Sequence, residues 1–279
     1  FEGTSITYAD LNRRASRLAD ALRRAGIQAG DRVALYLPNV PEFAVAYYAV
    51  QKIGALVLTI NAILKTEEVR YLVNDGSAAA IVSTAELLGF VPDCPSLRVR
   101  LAIDATGGAP GWQTLADFTA GAADDVKGVE RAPSDSAALL YSSGTTGFPK
   151  GVELTQSNIH SNIAKAARYS DYRAGDRVLV FLPLFHVYAQ NYLMNAAIFA
   201  GATVVLFRRF VPEQVLKALG DEKVTHFFAV PTIYINLLAM DLSPYDLSSI
   251  RYEMSAAATM PEEISRRWTE RFGRRVYEG

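Results

Sequence analysis

The residues best suited to chemistry lie in one stretch, Tyr141-Ser142-Ser143-Gly144-Thr145-Thr146-Gly147-Phe148-Pro149-Lys150-Gly151. Its eleven residues include three glycines, four aliphatic hydroxyls and one lysine. Gly144, Gly147 and Gly151 let backbone N–H groups approach a ligand with no Cβ in the way. The hydroxyls of Ser142, Ser143, Thr145 and Thr146 can donate to phosphate oxygens, and Lys150 adds a point charge. A handful of such charge-assisted bonds, each worth roughly 1.5–3 kcal/mol, would hold a polyphosphate. A plain turn between two strands needs neither this length nor the lysine. A Walker loop is a different object, because its Lys-Ser/Thr pair opens a helix. Here Pro149 precedes the lysine, Gly151 follows it and an extended apolar run, Val152 to Leu154, comes next. A P-loop kinase or ATPase is disfavoured on that ground.

Three other segments place polar or small residues where strands end. Leu182-Pro183-Leu184-Phe185-His186-Val187-Tyr188 sets a histidine at a strand-to-helix turn among apolar neighbours. Phe228-Ala229-Val230-Pro231-Thr232 runs from a strand into a helix, the usual position for ligand contacts in parallel sheets, although ordinary strand-end packing reads the same way. Ser255-Ala256-Ala257-Ala258-Thr259-Met260-Pro261 follows a strand with small residues and reads equally as a helix start.

The elements that must position these residues alternate between strand and helix. Thr7 caps a first helix with Asp10 at its third position, and the apolar spacing from Leu11 to Ala25 stops at Gly26. Strands are predicted at Val33 to Leu37, Ala55 to Ile60, Ala78 to Val82, near Val99 to Ile103, at Arg177 to Leu182, Ala202 to Phe207, Thr225 to Val230 and Ile250 to Met254. Helices are predicted from Pro41 to about Gly54, from a Thr66 cap, and from a Ser157 cap to about Tyr169. A long apolar helix is expected after Pro183 up to Gly201, with others near Pro212, near Thr232 and from Pro261 to Gly273. Residues 83–133, with the turn cluster Thr106 to Gly111, read as an irregular excursion. The fold class expected is α/β: layered, mostly parallel sheets flanked by helices. Gly54-Ala55 and Gly201-Ala202 end similar helices before similar strands and hint at two related halves.

With 279 residues the chain has room for a sizeable core, and half of its residues are hydrophobic. A net charge of −1 carries no footprint for nucleic acid or an anionic membrane. Cys94 is the only cysteine, which excludes a disulfide framework and a thiolate metal cluster and fits a reducing cytoplasm. The apolar stretch from Tyr192 to Phe207 is interrupted by Asn195 and Gly201 and is too short for a membrane span.

The run Tyr141 to Ile159, YSSGTTGFPKGVELTQSNI, resembles the phosphate-binding signature of the adenylate-forming, AMP-binding superfamily in its acyl-CoA synthetase form. The resemblance implies a two-step reaction with ATP, Mg²⁺ and coenzyme A acting on a small-molecule carboxylate. It gives Lys150 a catalytic role in the departure of pyrophosphate, and places Thr145 near the metal. Ser142, Ser143, Gly144, Thr145, Thr146 and Gly147 would hold phosphates, and Ser255, Ala256, Ala257 and Ala258 would form the loop whose backbone packs on adenine. Relatives often carry Ser-Gly-Ala-Ala there, so Ala256 is expected to forfeit a left-handed conformation. By the same resemblance His186, Val230 and Thr232 border the acyl group, with His186 positioning substrate and not acting as a base. Amino-acid-activating relatives carry an Asp directly after the Phe, where His186 stands, and a buried ammonium without that counter-charge would be costly. An uncharged, fatty acyl tail is therefore expected. The family's Y-G-x-T-E motif follows a segment like Arg275 to Gly279, and the sequence stops before it. The 279 residues are thus read as an incomplete N-terminal AMP-binding domain with the C-terminal domain absent, inactive or nearly so by itself. A non-catalytic nucleotide- or acyl-binding module is the alternative.

Overall fold

The computed structural model describes residues 1–105, 109–142 and 149–279. The chain divides into two compact units, Glu2–Ser161 with Leu184–Val187, and Asn162–Pro183 with Tyr188–Gly279 and Phe1.

The first unit is built on a seven-stranded sheet. Helix α1 (Tyr8–Arg24) begins as the sequence leads one to expect: Thr7 accepts from the Asp10 amide through its hydroxyl, and Gly26 leaves the helix at φ 82°. It is followed by β1 (Arg32–Tyr36), α2 (Pro41–Lys52), β2 (Leu56–Thr59), α3 (Thr66–Asp75) and β3 (Ala78–Ser83). Strands β4 (Val99–Ala102) and β5 (Gln113–Thr114) then extend one edge, with the short helix α4 (Leu115–Phe118) after them. A hairpin of β6 (Ser136–Ser142) and β7 (Lys150–Thr155) forms the other edge. Strand order is β5-β4-β3-β1-β2-β6-β7, parallel throughout except for the antiparallel β6–β7 pair. Strands β2 and β3 are buried along their whole lengths. Such strands read as continuous apolar runs because helices cover both faces.

The second unit contains most of α5 (Gln156–Tyr169), then β8 (Arg177–Val180), a π-helix at Tyr188–Asn195 continuing into α6 (Ala196–Phe199), and β9 (Thr203–Leu206). Helix α7 (Pro212–Asp221), β10 (His226–Ala229), α8 (Pro231–Leu238), β11 (Tyr252–Ser255), α9 (Glu262–Phe272) and β12 (Val276–Glu278) complete it. Its five strands are all parallel in the order β12-β11-β10-β8-β9. That order repeats the arrangement β5-β4-β3-β1-β2 of the first sheet, so the two units share one winding. Gly54 and Gly201 also exit their helices alike, at φ 72° and 75°, with Ala55 and Ala202 each bonding back five residues, to Val50 and Ala197.

One face of the five-stranded sheet holds the apolar core around Phe227, Tyr234 and Trp268, all fully buried. Trp268 lies edge-on to Tyr234 at 4.9 Å and stacks on Phe227 at 6.4 Å, while its indole N–H donates to the buried Glu253 carboxylate at 3.1 Å. Burial raises the Glu253 pKa, and Arg274, 3.4 Å away, opposes that rise. Tyr172, Phe228 and Tyr252 surround the His226 ring, and Tyr192 packs edge-on against Phe228. His226 is itself fully buried, between the Thr225 hydroxyl on Nδ1 and the Ser170 carbonyl on Nε2, and burial lowers its pKa.

Several helix starts differ from expectation. Lys65, not Thr66, is the N-cap of α3, where the Glu68 side chain accepts from the Lys65 amide at 2.9 Å. Thr155, not Ser157, starts α5, because Thr155 and Asn158 bond each other's amides reciprocally at 3.0 and 3.1 Å. The helix after Pro183 begins only at Tyr188 and is π-wound, with Gln190, Asn191 and Asn195 buried on it. Asn195 donates to Asn191 at 3.0 Å inside that segment. No helix among the described residues is long and apolar enough to cross a membrane.

Candidate functional site

In the first unit the site is organised by the β6–β7 hairpin. Ser142 pairs with Lys150 and Tyr141 with Gly151, so β6 ends beside the point where β7 begins. Ser142 and Lys150 are both exposed, and the Ser142 hydroxyl reaches the Lys150 carbonyl at 3.5 Å. Ser143, Gly144, Thr145, Thr146 and Gly147 lie outside the described residues.

The same unit contains the histidine. The Leu184 amide donates to buried Asn39 at 2.8 Å, and Thr59 donates to the Phe185 carbonyl at 2.8 Å. Those two anchors follow β1 and end β2, so Leu184–Val187 is tied to the carboxyl edge of the first sheet. His186 stays at the surface, its ring 4.1 Å from that of Phe185. Partial burial lowers its pKa, so at neutral pH the imidazole offers a hydrogen-bonding edge and no charge.

In the second unit the remaining candidates gather at the carboxyl ends of β10 and β11. Strand order reverses between β8 and β10, and parallel sheets receive ligands beside such a reversal. Val230, half-buried against the core, caps α8, and Thr232 in its first turn is exposed. Ser255 ends β11 fully buried, and its hydroxyl has no hydrogen-bond partner among the described residues. The Ala256 amide bonds the Ala229 carbonyl at 3.2 Å, which joins the β10 and β11 ends. Ala256 keeps an ordinary φ, in line with the loss of a left-handed conformation expected there, and it is Ala257 that takes that conformation, at φ 69°. Non-glycine residues rarely adopt it, and the chain turns outward there with Ala257 and Ala258 exposed.

Two residues absent from the sequence-based candidates touch the hairpin, Tyr71 and Asp75 on α3. Their spacing of four puts them on one helical face, a signal the sequence did contain.

Comparison with known proteins decides the family. The model of the family described as AMP-binding enzyme matches residues 1–279. The chain belongs to the AMP-binding enzyme family. A long-chain-fatty-acid–CoA ligase, FadD13 of Mycobacterium tuberculosis, is 34% identical over 265 residues, covering 93% of this chain and 51% of the relative. A feruloyl-CoA synthase of Amycolatopsis is 34% identical over 274 residues, covering 96% of this chain and 52% of the relative. Among solved structures, the anthranilate CoA ligase AuaEII in complex with anthranoyl-AMP aligns with a TM-score of 0.91 at 26% identity, covering 98% of this chain and 54% of that one. This AMP-binding chain therefore spans about half the length of the curated relatives it matches. Its parallel sheets flanked by helices are those of the N-terminal domain of acyl-CoA synthetase-like enzymes.

Proposed function

We propose that this AMP-binding chain supplies nucleotide- and acid-binding elements to an acid–thiol ligase. A carboxylate oxygen attacks the α-phosphorus of Mg-ATP, the bond to pyrophosphate breaks, and an acyl-adenylate forms. The thiol of coenzyme A then attacks the acyl carbon, gives up its proton, and AMP leaves. The observation that carries this reading is the β6–β7 hairpin, which delivers Ser142 and Lys150 to the two ends of a glycine- and hydroxyl-rich segment.

Lys150 and the hydroxyls of Ser142, Ser143, Thr145 and Thr146 hold the β- and γ-phosphates, with backbone amides at Gly144 and Gly147. Lys150 neutralises charge on the departing pyrophosphate. Magnesium enters as part of Mg-ATP, with Thr145 assigned near it. Among the described residues no group of three or more His, Cys, Asp or Glu could hold the ion, and Mg²⁺ is commonly carried by substrate phosphates. Ser255, Ala256, Ala257 and Ala258 present backbone to adenine, and His186, Val230 and Thr232 border the acid. The uncharged surroundings of His186 favour an acyl tail, fatty or aryl, over an amino acid. A reducing, cytoplasmic setting suits the one free and buried cysteine, Cys94.

Because the relatives are about twice as long, we assign the complete reaction to the whole protein and slow turnover, or none, to these residues alone. Mass spectrometry of products tests the reaction class. Any turnover is expected to require a carboxylate and to yield AMP and pyrophosphate. Carboxylate-independent release of inorganic phosphate with ADP overturns the reading in favour of a phosphohydrolase.

A further inference from the structure

We propose that Tyr71 and Asp75 of α3 are positioning residues that set the two ends of the glycine-rich segment for phosphate; this rests on the phosphate-binding reading above. The Tyr71 hydroxyl donates to the carbonyl of Pro149, the residue before β7, at 3.0 Å. Asp75 accepts from the Tyr141 hydroxyl on β6 at 2.6 Å. One face of α3 therefore bonds both Tyr141 on β6 and Pro149 just before β7. The Tyr71 and Tyr141 rings meet edge-to-face at 6.4 Å, so each grip braces the other.

The surroundings are built for this contact. Gly151 stands opposite Tyr141, and a Cβ there would lie 3.0 Å from Leu139 and 3.5 Å from the Tyr141 ring. A side chain there would rest against the ring and press on the Leu139 methyl beside it. Helix α3 is itself fixed: a Cβ at Gly76, its C-cap, would strike Leu58 of β2, and Arg32 bonds the carbonyls of Gly76 and Ser77 at 2.7 and 2.9 Å. Burial, and then the bond to Asp75 and its charge, raise the Tyr141 pKa, so the hydroxyl remains a donor.

Both rings already pack on the apolar core of this unit, which the hydroxyls are not needed to maintain. What the hydroxyls add is a set distance between α3 and the segment's two ends. Backbone amides stabilise an oxyanion when held in place beforehand, because ordering them during binding costs affinity.

The test uses the 279-residue chain and its variants Tyr71→Phe and Tyr141→Phe, each of which removes one oxygen and keeps the ring. Calorimetry with Mg-ATP and with AMP separates β- and γ-phosphate contacts from the rest of the nucleotide. Each variant is expected to lose about fivefold in Mg-ATP affinity, the weight of one net hydrogen bond, with AMP affinity unchanged. An unchanged preference for ATP over AMP in both Phe variants, or equal losses for the two nucleotides, overturns the proposal. If Lys150→Ala lowers that preference at the same time, the phosphate reading survives and only the positioning role fails. If Lys150→Ala also leaves it unchanged, the phosphate reading and the positioning role fail together.

Discussion

Lys150→Ala is expected to weaken Mg-ATP binding by about ten- to a hundredfold, the equivalent of losing one charged hydrogen bond of roughly 1.5–3 kcal/mol. AMP, which lacks the phosphates assigned to this lysine, should bind as before. The fold should be untouched, because Lys150 is exposed at the start of an edge strand. Calorimetry on the two nucleotides, with thermal unfolding as the control, reads both halves of this expectation. Equal weakening of ATP and AMP would show that the lysine acts on the site's shape or on the α-phosphate, and not on the leaving pyrophosphate.

The largest effect on stability is expected at Trp268. It is fully buried between Phe227, Tyr234 and Phe272, and truncation to Ala leaves a cavity that costs about 3–5 kcal/mol. A second component depends on pH. The indole N–H is one of the groups that hold the Glu253 pKa down against burial, so its loss pushes that carboxyl further up. A carboxyl whose folded pKa is raised gives stability below its unfolded value and loses it as pH rises through the folded one. The destabilisation by Trp268→Ala should therefore grow as pH rises above the ordinary glutamate range. Trp268→Phe keeps most of the ring packing and should show mainly the pH-dependent part. Denaturant unfolding at several pH values checks this, and a loss independent of pH in both variants would remove Glu253 from the account.

Much of the architecture was legible because local chemistry and global winding agree. Thr7 with Asp10, Pro41 at a first turn and Gly26, Gly54, Gly201 and Gly273 past helix ends all act as their residue types lead one to expect. The duplication was more legible than the helix–glycine pairs alone suggest. Gly30-Asp31-Arg32-Val33 and Gly175-Asp176-Arg177-Val178 each lead into a central strand and are followed, after three residues, by Leu37-Pro38 and Leu182-Pro183. In both, the aspartate accepts a local amide, from Gln28 or Arg173, and its carbonyl receives the amide that opens the neighbouring strand, at Leu56 or Thr203.

The misreadings have physical causes. Thr66 and Ser157 show that a hydroxyl near a helix start does not settle which residue is the cap, since the bond from Lys65 to Glu68 and the reciprocal bonds between Thr155 and Asn158 select a neighbouring frame. The π-winding at Tyr188–Asn195 comes with the burial of Gln190, Asn191 and Asn195, which no local propensity records. Of the residues proposed for binding, Ser142, Lys150, His186, Val230 and Ser255 could be named from strand ends and motif. Tyr71 and Asp75 could not, because their partners are 78 and 66 residues away along the chain. The left-handed conformation of Ala257 is likewise invisible in the sequence, since an alanine gives no sign of adopting it.

The central claim, that this chain holds an activated acid on a nucleotide, is tested most directly by calorimetric titration with a non-hydrolysable acyl-adenylate analogue, an acyl sulfamoyl-adenosine. The account predicts saturable one-to-one binding that Mg-ATP displaces. Absence of saturable binding by both the analogue and Mg-ATP would contradict it.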